Sequence, residues 1–215
     1  ADFVQSGMVL GLGTGSTAIH AVVKIGRLWR EGILKDIVGI PTSRGTEKVA
    51  REWDIPLTNL QAHPVIDLTI DGADEVDPQL NMIKGGGGAL LREKIVAHAS
   101  RREIIVVDSS KLVDVLGRTF PLPVEVIPFG WNICAGALRE MGFEPKLRLA
   151  GEEIYITDEG NYILDCRVPP NSDVVALAKE LNAIPGVVEN GFFIGCADLV
   201  VVGTPEGPHL IGSLD

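Results

Sequence analysis

Short apolar runs alternate with amphipathic segments through the first half of the chain. Strands are predicted over "MVLGLG", "DIVGIP", "VIDLTID" and "EIIVVD". Helices are predicted from about Ser16 to Arg30 and over "GTEKVAREW" and "ALLREKIVAHAS", and a short segment "NMIKGGGG" ends in glycines. Nearly continuous apolar strands between helices are typical of a parallel sheet that is covered on both faces.

The second half has a different pattern. It predicts a strand "VEVIPFG", a helix "WNICAGALREMG", a strand "PKLRL", a hairpin "EIYITDEGNYILDCRV", a helix "DVVALAKELNAIPG" and one or two strands in "FFIGCADLVVVG". This order broadly matches a split βαβ, ferredoxin-like unit. The prolines of "RTFPLPVE" mark a boundary. We therefore expect a domain over residues 1–121, to which a last strand from 200–215 can return, and a lobe over 122–200 that can form an oligomer interface.

The bulk composition excludes some classes of protein. Of the 215 residues 46% are hydrophobic, but no run approaches the roughly 20 residues of a membrane span. The net charge is −10 and no basic stripe occurs, so nucleic acid is not expected as a partner. Cys134, Cys166 and Cys196 are expected to be inert thiols in a reducing compartment. The four histidines show no metal-ligand spacing.

Five polar or glycine-rich loops each follow a predicted strand. They are "GTGST" (13–17), "PTS" (41–43), "DGADE" (71–75), "KGGGG" (84–88) and "DSSK" (108–111). In an open parallel sheet, ligands bind outside the carboxyl ends of the strands. We therefore expect these loops to converge on one crevice.

The segment "GLGTGSTA" favours a phosphate monoester as ligand. Its glycines let the backbone approach a ligand, and the following helix offers N–H groups to a phosphate. The sixth position is Ser16 instead of glycine, and no Lys-Ser/Thr follows, so neither dinucleotide motif nor Walker A loop is present. A methyltransferase-like loop stays open, although "GIPTS" has no acid for a ribose diol. The structural alternative is a plain glycine turn.

The segment "KGGGGALLREK" is interpreted as an anion-binding loop. Four glycines are unfavourable to order, by roughly 1 kcal/mol each relative to alanine. Consecutive N–H groups in such a loop can form a nest for an anion. Lys84 adds a cation at its edge, and Glu93 lies about one turn into the next helix. The alternative is that both side chains lie exposed on the surface.

The segment "DLTIDGADEVD" gathers five carboxylates in residues 67–77. A calcium or magnesium site is disfavoured because the D-x-D-x-D-G spacing is missing. Asp71, at the end of the strand, and Asp74, in the turn, are suited to accept hydrogen bonds from a polyol and to move protons between its oxygens, facing Lys84. The alternative is a strand-end turn that Asp caps. Glu75 and Asp77 are interpreted as solvated turn residues.

Together, "GLGTGSTA", "DGADEVD", "KGGGGALLREK" and "PLPVEVIP" resemble type A ribose-5-phosphate isomerase, and the likeness extends to "LNAIPGVVENGFF". The resemblance implies a Rossmann-like α/β domain with a smaller α+β lobe, and a homodimer or homotetramer. It implies a phosphorylated pentose as substrate, no metal or organic cofactor, and a cytoplasmic location, with the plastid stroma as the alternative. It also implies a helix before the first strand that can contribute a lysine. That helix is almost absent here, so weaker phosphate binding is one expectation.

The resemblance further implies roles for individual residues in interconverting D-ribose 5-phosphate and D-ribulose 5-phosphate in the pentose phosphate pathway. Glu93 is the general base, and Lys84 with the N–H groups of Gly85 to Gly88 stabilises an ene-diolate. Asp71 assists ring opening or proton transfer, and Lys111 pairs with the phosphate. The implied substrate-binding set is Thr14, Gly15, Ser16, Thr17, Asp71, Gly72, Ala73, Asp74, Lys84, Gly85, Gly86, Gly87 and Lys111.

Two other functions stay open on the sequence alone. A sugar-phosphate sensor would keep the phosphate loop but would not need Glu93 and Lys84, and it usually adjoins a DNA-binding segment, which is not visible here. A coenzyme A transferase would use Glu93 as a nucleophile, but the chain is short for an acyl-CoA site.

Overall fold

A computed structural model describes residues 1–214, which form two compact units. The first contains Ala1–Ala73, Arg92–Ser110 and the chain from Cys196 onward, and the second contains Asp74–Leu91 and Lys111–Gly195. The two units do not have the expected bounds of 1–121 and 122–200. Residues 74–91 and 111–121, expected in the first domain, lie in the second unit, and residues 196–200, expected in the lobe, lie in the first. Within the described residues, no helix is long and apolar enough to cross a bilayer.

The elements follow one another closely along the chain. The strands are β1 Val9–Leu12, β2 Val38–Pro41, β3 Leu68–Asp71, β4 Glu75–Val76, β5 Met82–Ile83, β6 Glu103–Asp108, β7 Leu122–Val126, β8 Glu144–Leu147, β9 Leu149–Ala150, β10 Glu153–Ile154, β11 Tyr162–Arg167, β12 Val187–Asn190, β13 Phe192–Phe193, β14 Leu199–Thr204 and β15 Gly207–Gly212. The helices are α1 Ala18–Arg30, α2 Arg44–Glu52, α3 Leu90–Ala99, α4 Trp131–Glu140 and α5 Val174–Asn182, and a 3₁₀ turn covers Ser109–Lys111.

The first unit contains a six-stranded sheet in the order β15-β14-β6-β3-β1-β2. Five strands are parallel, and β15 is an antiparallel edge strand. The expected parallel sheet is confirmed, and β14 returns to it from the end of the chain. The strand order reverses between β1 and β3, because β1 leads outward to β2 while β3 leads to β6. Such a switch point is where open α/β sheets bind ligands.

Alternation along β1 explains how helices pack on both faces of this sheet. Leu10 and Leu12 belong to one cluster with Val22 and Ile25 of α1. Gly11 points the other way, as successive strand residues do. A Cβ there would lie 1.8 Å from Thr69 Oγ1 and 2.8 Å from a methyl of Val96 in α3. Glycine at this position therefore lets α3 approach the sheet closely.

The second unit contains an antiparallel sheet in the order β12-β7-β11-β8, which is the strand order of a ferredoxin-like βαββαβ unit. Buried residues of β7, β11, α4 and α5 share its core, among them Val124, Leu164, Leu138 and Leu181. The lobe expected from the second half of the sequence is thus confirmed.

The hairpin predicted over "EIYITDEGNYILDCRV" is wrong. β10 pairs with β9, and β11 pairs with β7 and β8. The turn residues between the two apolar stretches are held by other contacts. Thr157 Oγ1 and Asn161 Nδ2 both donate to Oε1 of Glu125, at 2.9 Å each. The segment therefore keeps a local turn, in which Thr157 N–H donates to Asn161 O at 2.9 Å, and closes over a buried carboxylate, but its two apolar stretches pair with other strands.

Glu125 has an unusual environment for a carboxylate. It is 1% exposed, and among residues 1–214 its second oxygen, Oε2, has no hydrogen-bond partner. Burial raises the pKa of Glu125 above its ordinary value of 4.5, while the bonds from Asn161 and Thr157 act in the opposite direction. The folded lobe therefore binds this proton more tightly than the unfolded chain does.

Glu125 should make the stability of the protein fall as the pH rises above 4.5. The unfolded chain releases this proton first, so the stability present at lower pH is lost as the pH rises through the higher folded pKa. Glu125→Gln removes that loss, and its unfolding free energy relative to the wild type should increase from pH 4.5 to 7. Urea unfolding across this range tests the expectation, with the exposed Glu152→Gln as control. A difference that does not change with pH would contradict it.

Candidate active site

The turn between β1 and α1 is fixed by the acid at the end of β3. The N–H groups of Thr14 and Gly72 both donate to Asp71 Oδ1, at 2.9 and 2.7 Å, and Gly13 N–H donates to Ile70 O at 2.9 Å. A Cβ on Gly13 would lie 2.3 Å from Asp71 Oδ1 and 2.4 Å from its Cα. Asp71 is fully buried. The turn after β1 and the turn after β3 are thus joined through Asp71. The loops at these two strand ends lie together, as predicted.

The "PTS" loop after β2 joins the same cluster through hydroxyl groups. Thr14 Oγ1 lies 2.7 Å from Thr42 Oγ1, 2.8 Å from Ser43 Oγ and 3.1 Å from Thr46 Oγ1. Thr46 Oγ1 also donates to Gly13 O at 2.9 Å. The Thr14 hydroxyl therefore makes contacts inside the protein that orient the turn. Thr14 is also half-buried, and its role in substrate binding stays a prediction.

The N-terminus of α1 is open to a ligand. Thr17 occupies the N-cap position, but its side chain makes no capping hydrogen bond. Gly15 and Ser16 are exposed and Thr17 is half-buried. Gly15 has a φ of +119°, a conformation that glycine adopts readily. The N–H groups of Ile19 and His20 donate to Gly15 O and Thr17 O, whereas those of Ser16, Thr17 and Ala18 have no acceptor among residues 1–214. Open N–H groups at the start of a 13-residue helix favour an anion.

Glu93 lies in the first turn of α3 and is 5% exposed. The alternative that it is an ordinary exposed helix residue is therefore wrong. A buried glutamate is unusual in proteins because the charged form loses its hydration. The first unit thus contains two buried acids of the predicted catalytic set, Asp71 and Glu93.

The second unit contains the remaining predicted residues. Asp74 Oδ2 accepts the N–H of Gly86 at 2.7 Å. Lys84 is 1% exposed, with Nζ 5.3 Å from the centroid of the Phe193 ring. Burial raises the pKa of Asp74, and the Gly86 N–H, Lys84, Lys111 and Arg148 oppose this. Lys84 and Lys111 therefore both stabilise the charged form of Asp74. Two other predicted residues, Gly72 and Ala73, belong to the first unit.

The glycine loop uses part of its hydrogen-bonding capacity internally. Gly86 N–H binds Asp74, and Gly88 N–H donates to Gly85 O at 2.9 Å. Gly85 and Gly88 have φ angles of +105° and +78°. The expectation that all four N–H groups are open to an anion is thus wrong for Gly86 and Gly88. Among residues 1–214, the N–H groups of Gly85 and Gly87 have no acceptor.

Glu75 and Asp77 are not solvated turn residues, and that interpretation is wrong. Glu75 is fully buried and Asp77 is 9% exposed. Glu75 accepts four hydrogen bonds: the N–H groups of Gly117, Thr119 and Phe120 and the hydroxyl of Thr119, at 2.5–2.7 Å. Asp77 accepts the N–H groups of Gln79 and Asn81. Both acids fold loops of the second unit.

Several residues around these loops gave no signal in the sequence analysis. Thr46 was missed because the capping box places Glu or Gln, and not Thr, three residues after an N-cap such as Ser43. Arg148 and Tyr155 bind the glycine loop from 63 and 68 positions away in the sequence. Asp165 binds Arg148 from 17 positions away. No local pattern marks such contacts.

Glycine turns fixed to a strand-end acid, uncapped helix starts and glycine loops beside a buried lysine are typical of α/β proteins that bind small phosphorylated ligands. The model of one family, ribose 5-phosphate isomerase A (phosphoriboisomerase A), matches residues 38–207. Ribose-5-phosphate isomerase A of Chloroflexus aurantiacus is 52% identical over 213 residues, which cover 99% of this chain and 89% of that protein. The chain belongs to the ribose 5-phosphate isomerase A family.

Two solved structures agree with this assignment. Ribose 5-phosphate isomerase A from Methanocaldococcus jannaschii has a TM-score of 0.93 at 44% identity and covers 99% of this chain and 94% of its own. A D-ribose-5-phosphate isomerase in complex with phospho-erythronic acid has a TM-score of 0.95 at 43% identity and covers 99% and 93%. The activity is therefore the interconversion of ribose 5-phosphate and ribulose 5-phosphate. The alternative of a non-catalytic sensor has no support.

Gly13→Ala should impair the enzyme because the added Cβ displaces Asp71 or the Thr14 turn. We expect kcat/KM to fall by about 100-fold, the order of magnitude for small displacements at an active site. Gly45→Ala is the matched control, since its Cβ meets only Ser43 Oγ at 3.6 Å and it lies in α2. That variant should gain about 0.5–1 kcal/mol of stability at unchanged turnover. Equal activity in the two variants would contradict the role of the Gly13 contact.

Proposed function

We propose that Glu93 is the general base of the isomerisation and that Lys84 stabilises the intermediate. The observation that carries this proposal is the burial of Glu93 and Lys84, which are 5% and 1% exposed and which follow and precede the glycine loop in the sequence. Glutamate and lysine are almost never buried to this degree unless they are paired. Ordinary surface residues of these types would be exposed to solvent.

In the proposed reaction, Glu93 takes the proton from C2 of the open-chain aldose and leaves an ene-diolate whose charge lies on O1. The O2 hydroxyl proton then moves to O1, which places the charge on O2. Glu93 returns the proton to C1, and the ketose forms. A positioned carboxylate typically contributes about 10²–10⁴-fold to such proton transfers. Asp71 is proposed to assist ring opening and the transfer between O1 and O2.

The ene-diolate is proposed to interact with Lys84 and with the N–H groups of Gly85 and Gly87. These two amides replace the four that the sequence suggested, because Gly86 and Gly88 use theirs within the loop. Asp74 is proposed to bind a sugar hydroxyl through its remaining oxygen. Phospho-erythronic acid should bind this chain as well, since its carboxylate carries a negative charge where the ene-diolate does. Donors aimed at developing charge are usually the largest catalytic term.

The phosphate is proposed to bind the N-terminus of α1, through Gly15, Ser16 and Thr17, and to pair with Lys111. Support comes from the uncapped, exposed start of that helix. Lys111 is half-buried at the end of the 3₁₀ turn after β6, which is one of the five loops at strand ends. A helix N-terminus and a lysine together complement a dianionic phosphate.

The assembly and the cellular setting are also proposals. We propose a homodimer or homotetramer formed through the second unit, which exposes Phe129 (90%), Ile133 (70%) and Ile156 (60%). Contiguous exposed apolar patches mark interaction surfaces, and the second unit exposes more large apolar side chains than the first. The pathway proposed is the non-oxidative pentose phosphate pathway, in the cytoplasm or plastid stroma. The free thiols of Cys134, Cys166 and Cys196 agree with a reducing compartment.

Glu93→Gln should keep substrate affinity and lose most turnover, because the amide keeps the shape but is not a base. We expect kcat to fall by about 10²–10⁴-fold with little change in KM. The measurement is ribulose 5-phosphate formation from ribose 5-phosphate, after EDTA treatment and with no cofactor added. Glu52→Gln, at the exposed end of α2, is the control. Near-normal turnover of Glu93→Gln would refute the assignment.

The protein should sediment at two or four times the mass of one chain. Phe129→Asp should shift the population towards a smaller assembly, because a charge at a buried interface loses its hydration. Analytical ultracentrifugation of both proteins over a range of concentrations measures this. The control is Phe3→Asp, since Phe3 is also exposed but belongs to the first unit. A monomeric wild type at all concentrations would reject the proposal.

A further inference from the structure

The three carbonyl groups at the exposed bend of the glycine loop all accept hydrogen bonds from one part of the second unit. Arg148 Nη1 donates to Gly85 O at 2.9 Å and to Gly86 O at 3.1 Å. Tyr155 Oη donates to Gly87 O at 3.2 Å. Consecutive peptide groups are thus oriented by side chains, and not by a helix or a sheet ladder. The loop has no side chains of its own that could fix it.

Arg148 is itself held in one orientation. Its Nε and Nη2 donate to the two carboxylate oxygens of Asp165, at 2.9 and 2.5 Å. Only 13% of the Arg148 side chain and 23% of the Asp165 side chain are exposed. The Arg148 guanidinium also lies 5.7 Å from the centroid of the Tyr155 ring. A planar guanidinium with two bonds to one carboxylate has little freedom, so Nη1 is directed at the loop.

These contacts act on two peptide groups in different ways. In the peptide between Gly85 and Gly86, the carbonyl binds Arg148 and the N–H binds Asp74, so both ends are fixed. In the peptide between Gly86 and Gly87, the carbonyl binds Arg148, and the N–H of Gly87 has no acceptor among residues 1–214. A cation on a carbonyl draws electron density from the same amide and makes its N–H a stronger donor.

The side chains that bind the glycine loop leave no room for a Cβ at two of its positions. A Cβ on Gly88 would lie 2.2 Å from Tyr155 Oη, and one on Gly86 would lie 2.5 Å from Asp74 Oδ1. The surrounding side chains therefore touch the backbone directly. This close approach explains why Gly86 and Gly88 are glycines, although glycine is unfavourable to order.

We infer that Arg148 is a positioning residue of the isomerase: held by Asp165, it fixes the peptide planes of Gly85 to Gly87 and polarises the Gly87 N–H towards the ene-diolate. Tyr155 has a smaller part, because the peptide it binds has its N–H bonded to Gly85 O. The inference rests on the proposed role of the glycine loop as the site of the ene-diolate. It gives a function to the segment between β8 and β11, which the reaction otherwise does not use.

Arg148→Lys tests this inference, because lysine keeps the charge but lacks the fork that binds Asp165 and the loop together. We expect kcat and kcat/KM to fall together by about 100-fold, since the lost interaction forms in the transition state. Affinity for phospho-erythronic acid should fall in proportion to kcat/KM, as for a mimic of the intermediate. Inhibition by inorganic phosphate, which lacks the ene-diolate, should not change. Arg167→Lys, exposed on β11, is the matched control.

Two further variants keep the test decisive if Arg148→Lys is poorly folded. Asp165→Asn should reduce both kcat and phospho-erythronic acid affinity by an intermediate amount, and Tyr155→Phe by only a few-fold, about 2 to 5. The inference is overturned if Arg148→Lys and Asp165→Asn retain wild-type kcat. It is also overturned if they weaken phosphate and phospho-erythronic acid equally, since that pattern indicates a general loss of structure.

A parallel variant separates this inference from the proposed function. Lys84→Met should abolish turnover and weaken phospho-erythronic acid binding if the ene-diolate lies at this loop. If Lys84→Met retains both, the proposed site is wrong, whatever Arg148→Lys does. If Lys84→Met loses both and Arg148→Lys behaves as the wild type, the site holds and the positioning role of Arg148 is rejected.

Discussion

The structure depends on acidic side chains that accept hydrogen bonds from backbone N–H groups. All five carboxylates of residues 67–77 do so, and their donors are Val9 for Asp67, Thr14 and Gly72 for Asp71, Gly86 for Asp74, Gly117, Thr119 and Phe120 for Glu75, and Gln79 and Asn81 for Asp77. A hydrogen bond to a charged group contributes about 1.5–3 kcal/mol. The acids are therefore clustered because each one organises a different loop, and backbone donors offset much of their charge.

This arrangement gives two of the acids a double use. Asp71 fixes the Thr14 turn through Oδ1, and Asp74 fixes the glycine loop through Oδ2. Each carboxylate has a second oxygen beside the loop that it shapes, and the proposed second use is to bind the sugar through that oxygen. Burial raises the pKa of Asp74, and the Gly86 N–H and nearby cations lower it. The position of the loop and the charge state of the acid are therefore coupled through one hydrogen bond.

The fold was largely predictable because its signals are local. Hydrophobic runs of strand length and helical periodicity gave the parallel sheet, and the rule about strand ends brought the turn at Thr14 next to Asp71. The same signals failed where a side chain's partners are distant in sequence. Glu75 was interpreted as solvated because its donors lie 42 to 45 positions away. The hairpin was wrong because β11 finds better partners in β7 and β8, and no turn motif records that competition.

Resemblance to a family predicted roles for Glu93 and Lys84, but it did not reveal which backbone amides remain available. Which amides remain available depends on all the hydrogen bonds that the loop makes with the rest of the second unit. Four glycines offer four N–H groups; two of these are bonded within the second unit, and the carbonyls of the same loop are bonded by Arg148 and Tyr155. A loop of bare peptide groups can bind an anion reproducibly only if its carbonyls are held away from it. Without side chains on the glycines, that constraint has to come from residues elsewhere in the chain. A guanidinium fixed by a carboxylate meets it for two of the three carbonyls, and Tyr155 binds the third.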